Sequence, residues 1–135
     1  MIGEIIFDYA KFYRKLGWSV FPVQYKSKVP LIQWGVFQAR LPTDKEIVTW
    51  FDHSAKINLG VITGKISGIV VLDVDDIAAI SNKQIPPTPC TKTGRGGLHY
   101  FFKWPGKPTK NFVKIHGLDL RGDGGYVVLP VSVHQ

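Results

Sequence analysis

The chain has 135 residues and a single cysteine, Cys90, which suits one domain and excludes both an internal disulfide and a cysteine-based zinc cluster. Hydrophobic residues make up 44% and charged residues 20%, and no apolar run nears the roughly 18 residues of a membrane span, so a cytoplasmic globular protein with no membrane partner is expected. A net charge of +7 favours an anionic partner such as nucleic acid or polyphosphate, and the scattered lysines place that charge on a folded surface rather than on a basic arm.

In chain order, Ile2, Ile5, Ile6, Tyr9, Phe12, Tyr13 and Leu16 recur at helical spacing and predict an amphipathic helix over residues 2–16. Lys11, Arg14 and Lys15 fall late in it, where cations suit the helix dipole, and Gly17 is a natural stop. Glu4 and Asp8 interrupt its apolar residues, and no small-residue cleavage site follows, so it is not read as a signal peptide. Residues 18–23 alternate as a short strand, and Pro22 and Pro30 frame a loop. Thr43, with Glu46 three residues later, has the pattern of a capping box and predicts a helix to about Phe51.

Two apolar runs follow, residues 57–63 and 68–75, separated by Gly64-Lys65-Ile66-Ser67-Gly68. Such a spacer predicts a hairpin. A short helix is expected over residues 76–81, and the prolines of residues 84–89 impose irregular backbone. Strands are predicted at residues 90–93, 98–104, 112–115, 118–121 and 126–130. The fold class is therefore α+β with a largely antiparallel sheet, because the connections are too short for many parallel crossovers. Residues 1–135 are read as one domain. The apolar ending, Pro130-Val131-Ser132-Val133-His134-Gln135, suggests a fragment cut short at its C-terminal side.

Three segments carry chemistry. In Asp73-Val74-Asp75 the two acids fall on one face of a strand, roughly 7 Å apart along it. Their carboxylates can converge on a pair of metals about 4 Å apart, or they can be a solvated strand end, with Asp76 as a helix cap. Lacking cysteine partners, a site of this kind favours Mg²⁺ or Mn²⁺. In Thr91-Lys92-Thr93-Gly94-Arg95-Gly96-Gly97-Leu98-His99 the glycines let backbone N–H groups approach phosphate, with Lys92 and Arg95 adding charge. The competing explanation is a tight hairpin with a packing histidine at its exit. In Leu118-Asp119-Leu120-Arg121-Gly122-Asp123-Gly124-Gly125, Asp119 is the better ligand because it sits on a strand, and Asp123 is read as a turn former. Trp18, Trp34, Trp50 and Trp104 are read as packing residues, His53 and His116 as solvent-facing. Ser132 and His134 lie close enough in sequence to reach one phosphate or sugar.

In this order the segments resemble the N-terminal domain of bifunctional DNA primase/polymerases, in the archaeo-eukaryotic primase superfamily. Asp73-Val74-Asp75, His99 and Asp119 match its acidic pair, strand histidine and third acid. Residues 17–23, Lys28-Val29-Pro30 with Trp34, Asn58 to Gly64, Thr93 to His99, Asp119 to Val127 and Pro130 to His134 match its other motifs. The resemblance implies an RNA-recognition-like catalytic fold, often joined to a helicase in longer proteins. It implies template-directed polymerisation of nucleoside triphosphates on DNA, sometimes with primer synthesis, as in replication or repair. Under it, Asp73, Asp75 and Asp119 hold two divalent ions, and His99, Arg95, Lys92, Ser132 and His134 bind the nucleotide. Some relatives carry a zinc-binding insertion that one cysteine cannot supply, so no zinc is expected. The rival readings are a nucleic-acid-binding module whose catalysis has lapsed and a metal-dependent nuclease or phosphohydrolase.

Overall fold

A computed structural model describes residues 2–53, 55–94, 96–115 and 117–129. Helix α1 spans Ile2–Lys15. Gly17, at φ 89°, turns the chain out of it, and the Trp18 N–H donates back to the Tyr13 carbonyl at 3.1 Å. The expected apolar stripe is split. Ile6 and Ala10 are buried, whereas Ile5, Tyr9, Phe12 and Leu16 are exposed. Helix α2 spans Asp44–Phe51 and begins with the predicted capping box. The Thr43 hydroxyl accepts from the Glu46 N–H at 3.1 Å, and Glu46 accepts from the Thr43 N–H at 2.8 Å. Arg40 grips the same carboxylate with two hydrogen bonds, 2.8 and 3.0 Å.

The strands form two sheets. In the first, β1 (Val20–Gln24), β2 (Ile57–Ile62) and β8 (Tyr126–Val128) lie in the order β1-β2-β8. In the second, β4 (Cys90–Lys92), β5 (Leu98–Lys103), β3 (Ile69–Val74), β7 (Leu118–Arg121) and β6 (Phe112–Ile115) lie in the order β4-β5-β3-β7-β6. All pairs of named strands are antiparallel. This is the expected α+β architecture with one correction. The segments on either side of Gly64–Gly68 are not a hairpin. Both edges of β2 are taken, by β1 and β8, so the chain crosses and β3 becomes the centre of the other sheet. Only the bridge Gly64↔Ile69 remains at the crossing.

The main core joins both layers, through Ile6 and Ala10 of α1, Ile47 and Phe51 of α2, Leu59 and Val61 of β2, and Val71 and Phe101 of the second sheet. Burial of this apolar surface is the dominant favourable contribution to folding. Trp18 stacks between Tyr13 and Phe101, at centroid distances of 5.1 and 6.1 Å. Trp34 packs on Phe21 and Tyr126, and Trp50 on Phe37. These three tryptophans are packing residues, as expected. His53 is exposed, and its Nδ1 accepts from the Ala55 N–H at 3.1 Å.

Candidate active site

Strand β3 is flanked by β5 and β7, and Asp73 stands in register with His99 on one side and Asp119 on the other. Cross-strand partners point to the same face. Two residues earlier on that face, Val71 and Phe101 are buried in the core. The acids therefore emerge where the core face opens into a cleft. Asp75 lies one residue past the strand end, with its N–H donating to the Gly117 carbonyl at 2.9 Å. Carboxylate oxygens of Asp73, Asp75 and Asp119 all lie within 4.8 Å of one another. Asp73 is buried, Asp119 half-buried and Asp75 exposed. Asp76 is the cap anticipated as its alternative role, accepting from the Ala78 N–H at 3.0 Å.

Basic side chains surround the acids. His99 Nε2 lies 3.2 Å from Asp73 Oδ1. That buried oxygen has no hydrogen-bond partner among the described residues. Arg121 Nη2 lies 3.3 Å from Asp119 Oδ2 and 3.8 Å from Asp73 Oδ2. Burial alone pushes the Asp73 carboxyl up, but His99, with Arg121 and Lys28, more than offsets this and holds it below the usual carboxylate range. Asp75 is pushed up by loss of solvent and by the neighbouring Asp73 charge, with Asp119 adding to it and Lys28 and Arg121 opposing. Three carboxylates this close repel one another; Arg121 offsets this for Asp73 and Asp119, and a divalent cation would join all three. The donor set is all oxygen, which fits Mg²⁺ or Mn²⁺.

The Gly-rich segment is the β4–β5 hairpin, closed by Thr93. The Thr93 N–H donates to the Gly97 carbonyl, and the Gly97 N–H to Thr93 Oγ1, both at 2.9 Å. A Cβ on Gly97 would collide with the Val74 carbonyl oxygen, so only glycine lets this loop lie against the end of β3 beside Asp75. Thr93 and Gly94 line the cleft with Asp73, Asp75 and His99. Lys92, exposed on β4, is not among the lining residues. Arg95, His116, Ser132 and His134 lie outside the described residues.

Asp123 stands apart from the acid cluster. Its Oδ1 accepts from the Lys65 N–H at 2.9 Å and its Oδ2 from the Thr109 N–H at 2.6 Å. The residue lies in a turn, as expected, but its carboxylate ties two loops distant in sequence rather than bonding its own backbone.

The cleft encloses about 640 Å³, and its lining also includes Lys26, Ser27, Lys28, Asn111, Arg121 and Tyr126. No site role for these followed from the sequence. For Arg121 a signal existed, because it shares a strand face with Asp119. Lys28 and Tyr126 fall in segments that match motifs of the resembled family, but only the tertiary fold brings the loop after β1 and the start of β8 to the acids.

The family model for the bifunctional DNA primase/polymerase N-terminal domain matches residues 10–135. No curated protein matches the chain. Among the described residues, no helix is long and apolar enough to cross a membrane. The chain belongs to the bifunctional DNA primase/polymerase N-terminal family, a family of nucleotidyltransferase-type enzymes whose work requires DNA and nucleotides.

Proposed function

We propose, from this membership and the cleft geometry, that the chain catalyses template-directed nucleotidyl transfer on DNA. The 3′-hydroxyl of a primer attacks the α-phosphorus of a nucleoside triphosphate, and pyrophosphate leaves. The observation that carries the proposal is the convergence of Asp73, Asp75 and Asp119 within 4.8 Å, two of them, Asp73 and Asp75, lining a cleft that Lys26, Lys28 and Arg121 also line. Asp73 and Asp75 would be shared between two divalent ions, and Asp119 would complete the shell of one. Such ions, when bound, activate the attacking hydroxyl and stabilise the leaving oxygen.

The chain's own groups supply the rest. The strand pairing fixes Asp73 between His99 and Asp119, so Asp73 and Asp119 are set by sheet register, and Asp75 follows directly after the strand. Arg121 offsets the charge of Asp73 and Asp119, which keeps the acids close before any ligand arrives. His99 sits beside the acids and beneath the Gly-rich loop, where a triphosphate would need a donor. Arg95, Ser132 and His134 are proposed for the same triphosphate on the resemblance, and Lys92 contributes at most distant charge. The scattered surface lysines would hold the template backbone with little sequence preference.

Product analysis with a labelled primer on a template, with nucleoside triphosphates and Mg²⁺ or Mn²⁺, tests the proposal. Lengthened primers are the expected result. Shortened strands would replace it with a nuclease, and unchanged strands that remain bound would replace it with a binding module.

A further inference from the structure

One wall of the cleft is the tight loop that follows β1. Its residues Lys26, Ser27 and Lys28 line the cleft together with Asp73 and Asp75. The backbone there is held at several points. Gln24 N–H donates to the Val29 carbonyl at 2.7 Å, and Leu31 N–H to the Pro22 carbonyl at 3.0 Å. Val29 N–H donates to Ser27 Oγ at 2.9 Å. From β8, the Tyr126 hydroxyl donates to the Lys28 carbonyl at 2.8 Å. The Tyr126 ring is itself wedged edge-on against Phe21 and Trp34.

Lys26 is the only non-glycine among the described residues with positive φ, at 55°. Glycine or asparagine would adopt that turn with less strain, so turn geometry does not account for a lysine there. Its ammonium leans toward the Tyr25 ring, 5.8 Å from the centroid. Lys28, exposed, lines the cleft with Asp73 and Asp75. Its charge acts on both Asp73 and Asp75. Among the described residues it nevertheless forms no ion pair. A fixed loop that holds an exposed ammonium near several carboxylates, paired with none of them, leaves that charge for an anion bound between.

We propose that Lys28 binds the phosphate chain of the incoming nucleoside triphosphate, with Tyr126 as a positioning residue that acts through the Lys28 carbonyl. The inference rests on the nucleotidyl-transfer reading, and its test requires no turnover. The probe is inorganic tripolyphosphate with Mg²⁺, titrated calorimetrically at fixed ionic strength. Lys28→Ala should weaken binding about tenfold or more, as expected for loss of a charge-assisted contact, and Lys28→Arg should recover part of the loss. Tyr126→Phe, which keeps the ring and deletes the tie, should weaken binding severalfold in the parent and add nothing in the Lys28→Ala background. A purely structural tyrosine would give additive losses instead. Lys45→Ala, on the exposed side of α2, should leave affinity unchanged. Equal affinity in Lys28→Ala and the parent would overturn the inference, as would an equal loss in Lys45→Ala. A parent that binds tripolyphosphate through Lys28 yet extends no primer would uphold the inference while removing the polymerase reading.

Discussion

Asp119 and Asp123 lie in one short segment, and the structure gives them different work. Asp119 belongs to the acid cluster, in register with Asp73. Asp123 accepts from two backbone N–H groups on separate loops. Asp119→Asn should therefore remove nearly all primer extension and leave the unfolding midpoint almost unchanged, because it deletes an anionic ligand at constant shape. Asp123→Asn should do the reverse. An amide has one acceptor oxygen, so one of the two N–H groups loses its partner at a cost of about 1–2 kcal/mol. Urea unfolding should show a lower midpoint at unchanged slope, with Mg²⁺ affinity retained. Collapse of extension in Asp123→Asn, with Asp119→Asn still active, would exchange the two assignments. The Asp-x-Asp pair and the strand position of Asp119 were legible because a strand alternates its faces. The clamp made by Asp123 was not, because its partners Lys65 and Thr109 are remote in sequence.

Among the elements, α2 was read most fully in advance. Its capping box is a local motif whose partners lie three residues apart, so no tertiary contact was needed to foresee it. Arg40 adds to it and, with Thr43, holds the Glu46 carboxyl at about 2 rather than 4.5. A carboxyl whose folded pKa is depressed contributes stability that is complete above its unfolded value and lost as pH falls through the folded one. Glu46 should therefore support the fold above about pH 4.5 and cease to do so as pH approaches about 2. In thermal melts over that window, the gap between the parent and Glu46→Gln should shrink as pH falls. It should be small throughout, since the pair is exposed to solvent. A gap that widens with acid would contradict the assignment. The crossing from β2 to β3 was misread as a hairpin for the opposite reason. Spacer length and composition are local, but the vacancy of a strand edge is decided by strands elsewhere in the chain, here β1 and β8.

At the scale of the molecule, the two sheets and two α-helices among the described residues bring Asp73 and Asp75, the Gly-rich loop and the Lys26–Lys28 loop around one cleft. The α+β class and the antiparallel pairing were legible from strand number and short connections. The division into two sheets and the identity of the second cationic wall were not, because they depend on which strands meet. The acids, by contrast, were legible in the sequence because Asp73 and Asp75 alternate at the end of one apolar run and Asp119 stands in another predicted strand, while the pairing that brings Asp119 beside Asp73 belongs to the tertiary fold. The most direct measurement is the rate of primer extension as Mg²⁺ is raised, in the parent and in the Asp73→Asn/Asp75→Asn double variant. The account predicts extension that requires the metal in the parent. In the double variant it predicts a loss of about a thousandfold or more at every Mg²⁺ concentration, since metal-ion stabilisation of the transition state is worth several kcal/mol. Extension by the double variant at the parent's rate, or by the parent in excess chelator, would contradict it.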